Sequence, residues 1–93
     1  MEQKLTDLPN IGKELARQLN EVGIYNYDDL VDRGSEEAWL AIKEIDSSAC
    51  YNRLCALEGA LQGIRWHDLR ENDKNRLKDF YSANKTAPDD MIY

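Results

Sequence analysis

Apolar residues recur at helical spacing from the first third of the chain onwards. Intervals of four, four and three separate Ile11, Leu15, Leu19 and Val22, which places the four side chains on one side of an α-helix. A glycine, Gly23, follows them at the position where helices commonly end. The spacing therefore predicts a first amphipathic helix.

The middle of the chain continues the pattern in two short segments. Asn26 can cap a helix that Gly34 ends, because a side-chain oxygen at this position accepts from free backbone N–H groups. Ser35 can cap the next segment, which runs to Ile45, and glutamates follow it in the first turn. The "DSS" stretch at 46–48 interrupts the pattern and offers another cap. We therefore expect separate second and third helices.

The second half of the chain predicts a fourth and a fifth helix. Four apolar residues lie on one side of the fourth: Tyr51, Leu54, Leu57 and Leu61. Gly63 ends that helix, and the connector "IRWHDL" leads to the fifth, over about 71–83. The alternation typical of a half-buried strand is missing. The pattern thus predicts an all-α fold, a single compact bundle of about five short helices in one domain, 1–83, followed by a flexible tail, 84–93.

Composition narrows the environment of this bundle. The chain has 93 residues and a net charge of −6. No apolar run approaches the roughly 20 residues that cross a bilayer, and the N-terminus lacks the apolar region of a secretory signal. We therefore expect a cytoplasmic protein without membrane contact. Negative net charge disfavours a dedicated nucleic-acid binder, because phosphate contacts supply most non-specific affinity.

The charge is unevenly distributed along the chain. Residues 26–49 carry two basic and seven acidic side chains, whereas residues 50–86 carry seven basic and five acidic ones. An acidic middle and a mildly basic second half could orient a partner.

Three stretches, in this order and spacing, carry a resemblance to a known family. They are "LPNIGKELARQLNEVGI", "YDDLVDRGSEEAWLAIK" and "LCALEGALQGIRWHDLRENDKNRLKDFY". Together they resemble the C-terminal domain of the TfoX/Sxy family, bacterial regulators of natural competence, over Leu5 to Tyr81. The resemblance implies a helix-hairpin-helix or SAM-like fold and a non-enzymatic regulatory or interaction role, exerted mainly through an unidentified protein partner. The family's N-terminal domain is missing from the sequence, so we expect a stand-alone domain.

The "LPNIG" stretch resembles the L-P-G-I-G turn of helix-hairpin-helix modules, with Asn10 in place of the first glycine. The resemblance implies a phosphate cradle of backbone N–H groups at a helix N-terminus, made by Asn10 and Gly12. Lys13 and Arg17 lie four apart on the helix that follows and could reach a DNA backbone. Glu14 and Glu21 are close enough to weaken their field. A purely structural cap and tight turn is the other interpretation, and both stay open.

A second basic feature lies on the predicted fifth helix. Arg70, Lys74 and Lys78 recur every four residues and form a stripe that could meet nucleic acid or an acidic protein. Asp73 and Asp79 interleave with them, which favours a solvated face with local ion pairs.

The predicted fourth helix carries small residues and one carboxylate. The small residues are Ala56, Gly59, Ala60 and Gly63, a pattern that fits either close packing inside the bundle or a homodimer contact. Glu58 needs a partner if buried, and we expect the Trp66 N–H and the backbone of the following turn to provide it.

The remaining reactive residue types do not converge in the sequence. Cys50 and Cys55 are five apart, which fits neither a redox nor a zinc motif, and we expect both to be small core residues. His67 is the only histidine, too few ligands for a metal site. We therefore predict no catalytic residues, no metal site, no cofactor and no enzymatic activity. Tyr25 and Tyr27 flank Asn26, and their spacing predicts that one packs inward and the other outward.

Overall fold

The computed structural model describes residues 4–84, and the regular secondary structure of this part is all helical. It contains four α-helices, two 3₁₀ turns and no β-strand. In chain order these are a 3₁₀ turn at Leu5–Asp7, α1 at Lys13–Glu21, α2 at Tyr27–Ile45, α3 at Tyr51–Gln62, a 3₁₀ turn at Trp66–Asp68 and α4 at Glu71–Asn84. The all-α prediction is therefore confirmed for these residues.

The predicted second and third helices are one interrupted helix, α2. Its backbone leaves the helical conformation at Gly34, where φ is 80° and ψ is 159°. A residue with a Cβ is strained in this region of the map, so glycine permits the sharp break. Because one residue separates two helical stretches, the expected five helices become four, one of them kinked.

Most predicted helix ends lie where the sequence placed them. The Asn26 side chain accepts a 2.8 Å hydrogen bond from the Asp29 N–H and caps α2. Gly63 ends α3 in a left-handed conformation. The start of α1 is different, because Gly12 is its N-cap and Ile11 lies before the helix, where it is nevertheless buried.

The predicted apolar residues meet in one core. Leu19, Leu54 and Leu57 are completely buried, and Leu15 packs against the cluster at its edge. Burial of such a leucine stabilises the fold by about 1.5–3 kcal/mol. The core members are Leu5, Leu8, Ile11, Ala16, Leu19, Ile24, Leu30, Ala38, Trp39, Ile42, Ala49, Leu54, Cys55, Leu57, Ala60, Leu69 and Leu77.

Aromatic contacts attach α4 to the rest of the bundle. Trp39 is completely buried, and its ring packs edge-on against Phe80 at 6.1 Å and Tyr81 at 5.5 Å between centroids. The Tyr51 hydroxyl donates to the Lys74 carbonyl at 3.1 Å, and burial raises the pKa of Tyr51 to about 12. The predicted tail, 84–93, lies outside the described residues apart from Asn84, which ends α4.

Asp46 joins three helices through its carboxylate. It accepts hydrogen bonds from the Gln18 amide of α1 at 2.8 Å and from the Arg53 guanidinium of α3 at 3.0 Å. The hydroxyl and backbone N–H of Ser48 also donate to it. The sequence suggested that the "DSS" stretch caps α3, and this prediction is wrong. The N-cap of α3 is Cys50, without a side-chain hydrogen bond.

Candidate functional site

The "LPNIG" turn is fastened to the other end of the chain by Asn10. Its backbone is left-handed, with φ at 71°, a conformation that asparagine tolerates better than most residues. Its amide nitrogen donates to the carbonyls of Ile64 at 2.9 Å and Ala56 at 3.4 Å. Its amide oxygen accepts from the Trp66 N–H at 3.1 Å. The Asn10 side chain therefore uses both of its polar atoms inside the fold.

Gly59 makes this fastening sterically feasible. A Cβ at Gly59 would lie 2.5 Å from the Asn10 amide nitrogen, 2.8 Å from the Ile64 carbonyl oxygen and 3.2 Å from the Trp66 Cα. We refer to Asn10, Gly59, Ile64 and Trp66 as the Asn10 clamp. Spacing along the chain does not predict this clamp, because residues 10 and 59 are distant in the sequence. The run of small residues around Gly59 was the available signal.

The small residues of α3 pack within the domain. Ala56, Gly59 and Ala60 are buried, and the turn and connector pack directly against Gly59. This arrangement matches the packing interpretation of the stripe, since the three residues are buried within the same chain.

The residues predicted to bind DNA phosphate lie at or near the start of α1, and they differ in whether their side chains already have partners. Gly12 and Lys13 are exposed. Arg17 forms ion pairs with Glu14 and Glu21 on the same helix. The hydrogen bond from Arg17 lowers the pKa of Glu14, and the same bond raises the pKa of Arg17. A phosphate at Arg17 must compete with two carboxylates, so phosphate binding at this turn stays a hypothesis.

The predicted basic stripe lies along α4. Arg70 precedes the helix and is exposed, as is Lys78, whereas the Lys74 ammonium donates to the His67 carbonyl at 3.3 Å. Asp73 pairs with Arg76 at 3.8 Å. The stripe exists as a face, and its use in binding stays a hypothesis.

Glu58 is held by partners other than those expected. It accepts hydrogen bonds from the Ser35 hydroxyl at 2.6 Å and the Gln62 amide at 2.7 Å. Arg76 pairs with it at 3.3 Å. The backbone N–H of Trp66, an expected donor, donates to the Asn10 side chain at 3.1 Å and not to Glu58.

A pocket of about 230 Å³ opens beside the kink in α2. Its lining includes Ser35, Glu58 and Arg76, and three of its charged groups bind one another. Arg76 donates to Glu36 at 3.1 Å and also pairs with Glu58, which is held by Ser35 in turn. These contacts connect α2, α3 and α4 and leave the central groups engaged within the fold.

The reactive residue types lie apart. Cys55 is buried as expected, and burial raises the pKa of its thiol, whereas Cys50 is exposed and the core prediction for it is wrong. Its position as N-cap of α3 turns it outward. His67 is exposed and stacks on the Trp66 ring at 4.0 Å. Within residues 4–84 no group of three or more histidine, cysteine or acidic residues is arranged to hold a metal ion.

The tyrosine pair divides as predicted. Tyr25 is 65% exposed, and Tyr27 is half-buried with its hydroxyl donating to the Leu61 carbonyl at 3.1 Å.

Among the helices of the described part, none is both long and apolar enough to span a bilayer.

Comparison with known proteins gives a family and two solved structures. A family model described as the TfoX C-terminal domain matches residues 1–81. An uncharacterised protein from Listeria monocytogenes, solved in a triclinic form, is 52% identical, with a TM-score of 0.85 over 86% of this chain and 91% of that one. A protein of unknown function from the same organism, solved in a tetragonal form, is 53% identical, with a TM-score of 0.83 over 85% and 96%. No curated protein matches the chain.

Proposed function

Since the chain belongs to the TfoX C-terminal domain family, we propose that it is a non-enzymatic, cytoplasmic regulatory domain that acts by binding another protein. Its "LPNIG" turn is, in this proposal, a diverged helix-hairpin-helix turn whose role has become structural. The observation that carries the proposal is the internal use of that turn: both polar atoms of Asn10 bind the chain's own backbone.

Charge supports a protein partner over nucleic acid. Arg17 is paired with two carboxylates, and the net charge is −6. Lys13 is therefore the one basic residue of α1 without an ion pair within residues 4–84, and a DNA phosphate approaching this helix of an acidic protein gains little from counterion release. A protein partner with basic groups gains from the same charge distribution.

The pocket at the kink of α2 supports a role without catalysis. A general base or nucleophile needs a free partner atom within hydrogen-bond reach of a substrate. Glu58 instead accepts from Ser35 and Gln62 and pairs with Arg76. These groups connect α2, α3 and α4.

Duplex DNA provides the first test. We expect no binding in a titration at low salt, and no difference between the wild-type protein and Lys13→Glu. A cradle with three phosphate contacts would instead bind with a log–log salt slope of about −2.7, and Lys13→Glu would weaken it. That result would replace the proposal with the DNA-binding alternative.

Affinity capture provides the second test. Immobilised protein is exposed to extract of the source cell, beside an unrelated small protein of the same net charge. We expect at least one protein to be enriched on this domain and not on the control. The amount captured per immobilised domain should reach a plateau as more extract is added. Enrichment of the same proteins on both supports would reject a specific partner.

A further inference from the structure

The first half of α2 presents a solvent-facing surface of unusual composition. Asp28, Val31 and Asp32 are exposed and stand at i, i+3 and i+4, so they share one face of the helix. We call these three residues the acidic face of α2. Val31 is 50% exposed, one of three large apolar residues exposed to this degree in the described part.

The two carboxylates of this face have no hydrogen bond or ion pair within residues 4–84, although their neighbours do. Asp29 accepts from the Tyr25 N–H at 3.0 Å. Arg33, the adjacent cation, donates to the Val22 carbonyl at 3.3 Å and so reaches the end of α1. The guanidinium of Arg33 is thus engaged elsewhere, while the two carboxylates have no ion pair within the described residues.

Helix formation by itself does not explain this arrangement. Asp28 lies in the first turn, where the helix dipole favours a negative charge. Asp32 lies one turn later, and like charges at i and i+4 destabilise a helix. Val31 between them is β-branched and exposed, which gives it neither helix propensity nor burial. The face therefore carries features that the isolated fold does not need.

We propose that the acidic face of α2 docks an amphipathic helix of a partner protein, with an apolar residue on Val31 and lysine or arginine side chains on Asp28 and Asp32. This inference rests on the proposed function and names its surface. Charge complementarity selects the partner: the half of α2 before the kink carries three acidic residues and one basic residue, and the basic one donates to the Val22 carbonyl. An exposed helical face of this spacing matches a second helix laid against it.

A synthetic basic helix tests the surface without a known partner. The probe is an amphipathic peptide of about 18 residues with leucines on one side and lysines beside them, and its control has glutamate at every lysine. The ¹⁵N-labelled protein is titrated and its amide shifts are followed. We expect shifts concentrated at residues 27–35 with the basic peptide and none with the acidic one.

Charge-matched variants separate the surface from overall charge. Asp28→Lys with Asp32→Lys should weaken binding by about tenfold or more, as should Asp28→Asn with Asp32→Asn to a smaller extent. The control, Glu37→Lys with Glu44→Lys, changes the net charge equally on the other half of α2 and should weaken binding less than about twofold. Val31→Ala should weaken binding more than Ile45→Ala, whose side chain is equally exposed.

Several outcomes overturn the assignment. Equal weakening by both charge-reversed pairs shows a net-charge effect, and shifts that map onto α4 place the surface elsewhere. A change of oligomeric state on reversing Asp28 and Asp32 makes a second copy of this chain the occupant. A protein captured from extract equally by wild type and the Asp28/Asp32 variant rejects this face but leaves the proposed function standing. Peptide binding at this face without any captured protein supports the face and rejects the proposed function.

Discussion

The Asn10 clamp and the acidic face of α2 use polar residues in opposite ways. In the clamp, the amide of Asn10 binds three backbone groups, and Gly59 leaves room for the contact. On the acidic face, Asp28 and Asp32 bind nothing within the described chain and flank an exposed valine. Satisfied, half-buried polar groups stabilise the fold and limit a surface's availability, whereas unsatisfied exposed ones leave it available to a partner. In the turn that the family resemblance marked for binding, the Asn10 side chain thus has a structural role.

The largest expected effect breaks the clamp by steric overlap. Gly59→Ala places a Cβ within 2.5–2.8 Å of Asn10 and the Ile64 carbonyl, and one of these neighbours is backbone. We expect the free energy of unfolding to fall by about 3 kcal/mol, the upper part of the range for overpacking. Urea denaturation followed by circular dichroism measures it.

Gly12 supplies the matched control for that substitution. A Cβ at Gly12 meets nothing within 4 Å, so Gly12→Ala should lower stability by less than about 1 kcal/mol, the effect of a poorer N-cap. Equal losses for the two alanine variants would show that Gly59 is not needed for close packing.

The next effect removes the hydrogen bonds of the clamp. Asn10→Gly should lower stability by about 1 kcal/mol, because the bonds to Ile64 and Trp66 are lost at a half-buried site. Asn10→Ala should lower it by about 2 kcal/mol, since alanine also strains in the left-handed backbone. The difference between these two variants measures the strain. If the glycine variant were less stable than the alanine variant, the left-handed backbone at Asn10 would not be a source of strain.

A smaller effect compares Asp46 with Asp32, two aspartates of the same sequence region with opposite environments. Hydrogen bonds from the Ser48 hydroxyl and backbone, then from Gln18 and Arg53, hold the pKa of Asp46 well below its ordinary 3.8. A carboxyl with a lowered folded-state pKa stabilises the protein above its unfolded pKa and loses this contribution as the pH falls through the folded value. Asp46→Asn should therefore lower Tm at pH 7.

The same substitution gives a pH signature. The difference in Tm between wild type and Asp46→Asn should narrow as the pH falls below about 3.8, because the unfolded chain then binds a proton at Asp46 that the folded protein, with its lower pKa, binds only at still lower pH. Asp32→Asn, measured over the same range, should show no loss of Tm at pH 7. A constant difference for Asp46 down to the acid transition would mean that its charge does not contribute.

The smallest effect on stability has the opposite sign and sharpens the contrast. Asp32→Lys should leave stability unchanged or raise it by about 0.3–0.5 kcal/mol, because it replaces a like-charge i,i+4 pair with an attractive one. Differential scanning calorimetry at low ionic strength resolves such a shift, and added salt should reduce it. A clear destabilisation would show that Asp32 has a structural role, and the contrast with the clamp would fail.

Sequence determined the helical character, most of the helix ends and the core of this protein. The apolar spacing around Leu19, Leu54 and Leu57 requires helices that bury one side, and caps such as Asn26 act through neighbours three residues away. These properties are local, so the order of residues suffices to predict them. The sequence predicted that a helix ends at Gly34. It did not predict that the next helical stretch begins directly after this residue, because a glycine is compatible with either a kink or a longer loop.

Tertiary structure alone decided which polar residues are free. Asn10 and Trp66 are 56 positions apart, and Glu58 meets Ser35 and Arg76 from two other helices. Such contacts depend on how the helices pack, which spacing along one helix does not specify. Packing engages both polar atoms of the Asn10 side chain, in the turn that resembled a binding site, and leaves Asp28, Val31 and Asp32 facing solvent.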